Sequence, residues 1–352
     1  MSRKTGIVKD QRYLLHDAGS GHPESPQRLQ ETYGMLESAD MAGKFIEIIP
    51  RYATHDEIAM IHDPSYVDMV AGTAGKSFVA LDPDTTTTAE SYGVAKLAVG
   101  GLFSAIDSVM SGDVDNAFAL IRPPGHHAGS GNAAGFCIFN NVAIGAMHAM
   151  AQYKVQKILI VDWDLHHGNG TQEQFYGNKN VLYFSTHQYP YYPGTGALEE
   201  IGAGSGIGYT VNVPLRTGMN NGHYVKLYRK LLCPIAMKFN PELVLVSAGF
   251  DPYYLDPLGG MKVTPAGFAH LTRILMDIAD HCCGGKLVVT LEGGYHLAGL
   301  AESVKAVLLE MRDDTRTSEQ ELAMLEEQAD SRIDPLIKKV MDQFDPIWQV
   351  FR

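Results

Sequence analysis

The chain has 352 residues, 45% hydrophobic and 19% charged, the composition of an ordinary globular protein with ample core. Its formal charge of −12 excludes a protein that holds DNA or RNA by neutralising phosphates, and leaves cationic substrates open. Four cysteines (Cys137, Cys233, Cys282, Cys283) without C-x-x-C spacing remove structural zinc fingers and point to reduced thiols.

Residues 1–5 lead into no long apolar run, so neither a signal peptide nor a membrane helix is expected, and a cytoplasmic location follows as an expectation. Residues 5–8 read as a weak first strand. The polar loop after it holds His16 and His22; neither has a companion at metal spacing, so both are expected at the surface or a rim. Ser25 and Pro26 read as the N-cap and first position of a helix running toward Ser38. A second helix starts at Asp56 and is broken by Asp63-Pro64. Residues 82–88 form a long connection, and 91–110 a buried helix rich in small residues. This first third proposes no chemistry by itself.

From Asn116 onward, short apolar runs (117–121, 158–161, 181–184, 209–213, 243–246, 287–291) alternate with helical stretches such as 140–152, 222–238, 265–281 and 297–311. That alternation predicts an α/β fold whose mostly parallel sheet carries helices on both faces. Ligands of such sheets sit at the carboxyl ends of the strands. Four runs end in residues fit for chemistry: Arg122-Pro123-Pro124-Gly125-His126-His127, Asp162-Trp163-Asp164-Leu165-His166-His167, Ser247-Ala248-Gly249-Phe250-Asp251 and Glu292-Gly293-Gly294-Tyr295. These loops should converge on one site.

Strand alternation puts Asp162, Asp164 and His166 on one side. Crowded carboxylates at the end of an apolar strand repel each other, and a cation relieves them. The plainer alternative is that the aspartates cap the next helix and pair with the histidines. Asp164, His166 and Asp251 would give three ligands and leave an open position, as a hydrolytic zinc needs, although iron or cobalt suits the same set. His126 and His127 could act as general acid and base near neutral pH, and Tyr295 could donate to a developing oxyanion. Singly, each residue has a structural reading as turn, cap or core aromatic; at four strand ends together, the functional one prevails.

The four loops, with Gly135-Phe136-Cys137, Gly168-Asn169-Gly170 and Tyr192-Pro193-Gly194-Thr195-Gly196, resemble the signature segments of zinc-dependent histone deacetylases, nearest the class II branch and its bacterial relatives. The resemblance spans roughly residues 12–312. It implies one arginase-like α/β domain with an eight-stranded sheet over about 1–315, followed by a helical extension over 316–352. Residue by residue, it makes Asp164, His166 and Asp251 the zinc ligands, His127 the general base and His126 its electrostatic partner. Tyr295 becomes the oxyanion donor, while Asp162 and Asn169 orient His126 and His127. Asn169 falls where many class I members carry aspartate, which should leave His127 less basic.

Gly135, Phe136 and Tyr192 resemble the wall of an acyl-lysine tunnel. Potassium beside the zinc is implied at Asp162, Asp164, His166, Ser185 and Thr186. Members selective for acetylpolyamines carry a glutamate gate, and Leu258 stands at the matching position. The implied substrate is therefore acyl-lysine in a protein or peptide, with small acylated amines as the alternative and no direct nucleic-acid or membrane partner.

The other features read as structure. Gly202-Ala203-Gly204-Ser205-Gly206 is expected to be a mobile loop, and His187, His223, His270, His281 and His296 to be structural or superficial. Ser318 with Glu321 reads as a capping box. Asp334-Pro335 opens a last helix, and Ile333, Leu336, Ile337, Val340, Met341 and Phe344 form an apolar stripe that docks on the domain or on another subunit. Two further hypotheses stand: an arginase-type enzyme with two metals, for which extra ligands near Asp251 are wanting, and a non-catalytic acyl-lysine binding module.

Overall fold

The computed structural model describes residues 2–351. Its strands are β1 (Thr5–Val8), β2 (Ile46–Ile48), β3 (Val79–Ala80), β4 (Thr86–Thr87), β5 (Asn116–Ala119), β6 (Ile158–Asp162), β7 (Val181–Gln188), β8 (Thr210–Leu215), β9 (Leu243–Ala248) and β10 (Leu287–Leu291). Eight of them pair in parallel in the order β2-β1-β5-β10-β9-β6-β7-β8, while β3 and β4 make a separate antiparallel hairpin. Runs such as Ile158-Leu159-Ile160-Val161 are wholly buried, as strands covered on both faces must be. The strand β2 escapes the apolar pattern because it is a short edge strand with Ile46 and Glu47 exposed.

The helices are α1 (Gln27–Leu36), α2 (His55–Ile58), α3 (Pro64–Ala71), α4 (Ser91–Ser111), α5 (Asn141–Tyr153), α6 (Asn169–Phe175), α7 (Asn221–Leu227), α8 (Cys233–Phe239), α9 (Pro265–Cys283), α10 (Leu297–Met311), α11 (Glu319–Gln328) and α12 (Asp334–Trp348). The pair α4 and α5 packs over β1, β5, β9 and β10, while α9 packs on β9 and β10 and carries α10 against it. By length and composition α4 could cross a membrane, but 67% of its most apolar window is buried as a core helix. Its glycines permit close approach: a Cβ on Gly100 would lie 1.9 Å from the Arg51 carbonyl oxygen.

Several local expectations shift. Pro26 precedes α1 without a side-chain cap, whereas α2 starts one residue early behind a capping box of Thr54 and Glu57. The stretch 222–238 is interrupted by a π-helical turn, Tyr228–Leu232, just before Pro234, whose missing N–H cannot continue the ladder. Ser318 caps α11, but the Glu321 carboxylate meets His270 Nε2 at 3.1 Å. The glycine-rich segment expected to be mobile forms a short helical turn, Gly204–Gly206, packed on Tyr176 and Gly177. In the C-terminal segment, Ile337, Val340, Phe344 and Trp348 are buried along α12, and Trp348 Nε1 donates to the Gly208 carbonyl at 3.0 Å.

Candidate active site and metal centre

The strands β5, β10, β9 and β6 are consecutive neighbours at the centre of the sheet, so the loops after them do meet at its carboxyl edge. There Asp164, His166 and Asp251 hold one potential ligand atom each within 4.8 Å of one another. His166 Nδ1 lies 3.2 Å from Asp164 Oδ1 and 3.0 Å from Asp251 Oδ2. The remaining carboxylate oxygens are turned inward by backbone donors: Gly293 N to Asp164 Oδ2 at 2.9 Å and Leu165 N to Asp251 Oδ1 at 2.8 Å. Gly249 is required by this approach, since a Cβ there would sit 1.9 Å from Asp164 Oδ2.

Asp162 ends β6 and leaves this trio. Its Oδ2 meets His126 Nδ1 at 3.0 Å and accepts from the Tyr183 hydroxyl at 3.0 Å, and its Oδ1 accepts from Asp164 N at 3.1 Å, so it caps no helix. Gly168, not an aspartate, is the N-cap of α6. Asn169 is the first residue of that helix, with its Oδ1 2.8 Å from His127 Nδ1. The two histidine rings lie 4.0 Å apart.

The electrostatics separate these two rings. Burial pulls His126 down, but Asp164 and Asp162 outweigh it and hold the imidazole up to about 10. Burial, with His126 and His166 beside it, holds His127 well below its ordinary value. Burial also lifts Asp251 to about 7, helped by Asp164. A charged His126 beside a neutral His127 is an acid and a base in one pocket.

Tyr295 sits on a strap held from both sides. Asp256 accepts from the backbone of Tyr295 at 2.7 Å and of His296 at 3.1 Å. Arg28 donates to the carbonyls of Gly294 at 2.7 Å and Glu292 at 2.5 Å, and its guanidinium lies 5.1 Å from the Tyr295 ring centre. Burial keeps the Tyr295 hydroxyl protonated by pushing its pKa well up. Phe136 meets Tyr295 edge-on at 5.8 Å, and Tyr192 meets His127 at 5.1 Å and His166 at 6.1 Å. Gly135 lies between these rings with φ of 54°; a Cβ would be 2.3 Å from His127 and 3.0 Å from Tyr192. Leu258 is half-buried, and its carbonyl accepts from the Tyr191 hydroxyl at 3.1 Å. Ser185 and Thr186 are buried within β7, longer than expected, with Ser185 in register with Asp162 and bonded to His187 Nδ1 at 2.8 Å.

Residues absent from the sequence reading complete the site. Tyr191 stacks on His166 at 5.6 Å. Asp84 and Thr85, in the supposedly plain connection, accept from the backbone N–H groups of Gly135 and Phe136 at 3.0 Å each. His22 does stand at the rim, 4.6 Å from Phe136. His16, by contrast, is 2% exposed and belongs to a buried knot in which Glu24 binds Arg122 through both oxygens and Arg28 at 3.0 Å. The knot ties the loop carrying His126 and His127 to the Tyr295 strap. A glutamate or arginine far away in sequence gives no local sign of such a partnership.

A model of the histone deacetylase domain matches residues 22–311. The chain belongs to the histone deacetylase family of hydrolases. It is 42% identical over 313 residues to histone deacetylase 15 of Arabidopsis thaliana, covering 86% of this chain and 56% of that one. Polyamine deacetylase HDAC10 of Homo sapiens is 42% identical over 307 residues, covering 83% of this chain and 45% of that one. A probable deacetylase of Archaeoglobus fulgidus is 39% identical over 297 residues, covering 84% and 82%. The solved HD domain of HDA15 superposes with a TM-score of 0.90 at 38% identity, covering 99% of this chain and 96% of that chain. The chain thus has the histone deacetylase fold, but spans about half the length of several curated relatives it matches.

Proposed function

We propose that this family member is a zinc-dependent amidohydrolase that removes acetyl or related acyl groups from the side-chain amine of acyl-lysine. The observation that carries the reading is the convergence of Asp164, His166 and Asp251 within 4.8 Å beside two oppositely tuned histidines. Two carboxylates and an imidazole suit zinc, and the donors lie deep with 11% of the His166 side chain still exposed. Zinc bound there would polarise the acyl carbonyl and acidify a water.

The chain's own residues supply the rest. Asn169 Oδ1 accepts from His127 Nδ1–H, which leaves Nε2 as the lone pair that takes the proton from the attacking water. His126, whose Nδ1–H donates to Asp162, would in its protonated form stabilise the negative charge that develops and give its Nε2 proton toward the departing amine. Tyr295 donates its hydroxyl to the same oxygen charge. Phe136 and Tyr192 line a slot suited to an aliphatic stem, and Leu258 offers no carboxylate for an ion pair with a polyamine. The same reading assigns potassium to Asp162, Asp164, His166, Ser185 and Thr186; its support is the burial of this polar group, with Asp162 opposite Ser185.

The test is hydrolysis of an acetyl-lysine peptide beside acetylspermidine, with and without a zinc chelator, by the native chain and by Tyr295→Phe. Chelator-sensitive peptide turnover that falls about 10²–10³-fold in the variant is the expected result. Turnover of acetylspermidine alone would overturn the substrate assignment and keep the chemistry. Metal binding without any amide turnover would replace the enzyme by a binding module.

A further inference from the structure

Beside the metal trio lies a second convergence of ligands that shares no residue with it. His126, Cys137 and Glu292 each offer one potential ligand atom, all within 4.8 Å of one another, and all three side chains are buried. His126 spends Nδ1 on Asp162, which leaves Nε2. Cys137 Sγ makes a weak contact to the Gly135 carbonyl oxygen at 3.4 Å and a backbone contact with His127. Glu292 Oε2 accepts from Gly125 N at 2.7 Å and His126 N at 3.2 Å, while Oε1 accepts from Ser247 Oγ at 3.1 Å and keeps a lone pair for a cation.

We propose that His126, Cys137 and Glu292 form a second, inhibitory site for a thiophilic divalent cation, zinc or cadmium, occupied when the metal exceeds one equivalent. Tetrahedral zinc with these bond lengths separates its ligand atoms by about 3.5 Å, so small side-chain rotations close the 4.8 Å outer bound, and the larger cadmium needs less. Burial holds the Cys137 thiol well above its usual range, and a coordinated cation displaces that proton outright. His126 Nε2 is 3.8 Å from Asp164 Oδ1, which places the new ion next to the first. Cation pairs at about 3.5–4 Å are sustained elsewhere by carboxylates, and Asp162, Asp164, Asp251 and Glu292 are all buried around this one. Inhibition rests on the function proposed above: a cation on Nε2 removes the proton that His126 gives to the leaving amine.

The experiment loads the metal-stripped full chain with one equivalent of zinc and then titrates cadmium, reading the ultraviolet thiolate-to-cadmium charge-transfer absorption and turnover in parallel. One further equivalent with a rising band, and turnover falling at least tenfold, is expected. Cys137→Ser, and Cys137→Ala as a second variant, should retain the first zinc while losing both the band and the inhibition. A band that persists unchanged in both variants would mean binding at Cys233, Cys282 or Cys283 and would overturn the proposal, as would the absence of a second equivalent. A Cys137-dependent band in a chain that never turns over an amide would uphold the site and refute the function.

Discussion

Replacing Glu24 by glutamine tests the buried knot, because the change keeps shape and removes only charge. Glu24, Arg28 and Arg122 are each 0% exposed, so two guanidiniums would be left in the core facing one neutral amide. Burial raises the Glu24 carboxyl, but Arg122 overrides it and holds the group down to about 2 from 4.5. That shift corresponds to about 3 kcal/mol, and breaking a buried ion pair from one side costs roughly 3–5 kcal/mol by general experience.

We therefore expect Glu24→Gln to lose about 3 kcal/mol in urea denaturation, while Asp342→Ala, at an exposed helical pair with Lys338, changes stability by less than about 0.5 kcal/mol. The pH dependence has a definite sign. Glu24 is depressed in the fold, so its contribution is present above pH 4.5 and disappears as pH falls toward about 2. His16 is held down to about 4 from 6.5 by burial, so the unfolded chain binds more protons between those values and stability also falls as pH drops through that window. Glu24 and His16 thus weaken the fold as pH falls from about 6.5, and the portion below pH 4.5 should be shallower in Glu24→Gln. A loss under about 1 kcal/mol at pH 7, with an unchanged acid limb, would refute the view that this knot stabilises the fold.

Gly249→Ala drives a Cβ to 1.9 Å from Asp164 Oδ2, and metal affinity measured by chelator competition should drop at least about 10–100-fold with the fold retained. Asp256→Asn disturbs the cradle of Tyr295 N and His296 N; kcat should fall by about 10²-fold while metal content stays the same, and loss of metal instead would count against a positioning role. Trp348→Ala removes a buried ring that packs on Tyr209 at 5.1 Å and on Phe239 at 6.3 Å, and should cost about 3–5 kcal/mol by calorimetry without altering KM.

The stretch from Ile158 to Asn169 shows why so much of the site could be read along the chain. A buried parallel strand needs a continuous apolar run, and the candidate ligands Asp164 and His166 follow where that run stops, so strand and proposed chemistry share one local signal. The same held at Ile121, Val246 and Leu291, and the family's fold follows from it. Less visible were elements whose reasons are not local. β2 is an exposed edge, His16 is buried only because Glu24 and Arg122 come to it, and Asp256 looks like any turn aspartate until the Tyr295 strap folds over it.

By itself the sequence determined the alternation of strands and helices, the four strand ends that carry chemistry, and the residue types fit to hold a metal. Periodicity and composition encode those features within a few residues. Only the tertiary structure decided that β5, β10, β9 and β6 lie side by side, which carboxylate gathers with His166 and Asp251 and which turns to His126, and what pins Tyr295 and Phe136. Those are pairings across 36 to 266 positions of chain, such as His126 with Asp162 and Arg28 with Gly294. They are set by which strands become neighbours and by the cost of leaving buried charge unpaired, and neither is written in any single segment.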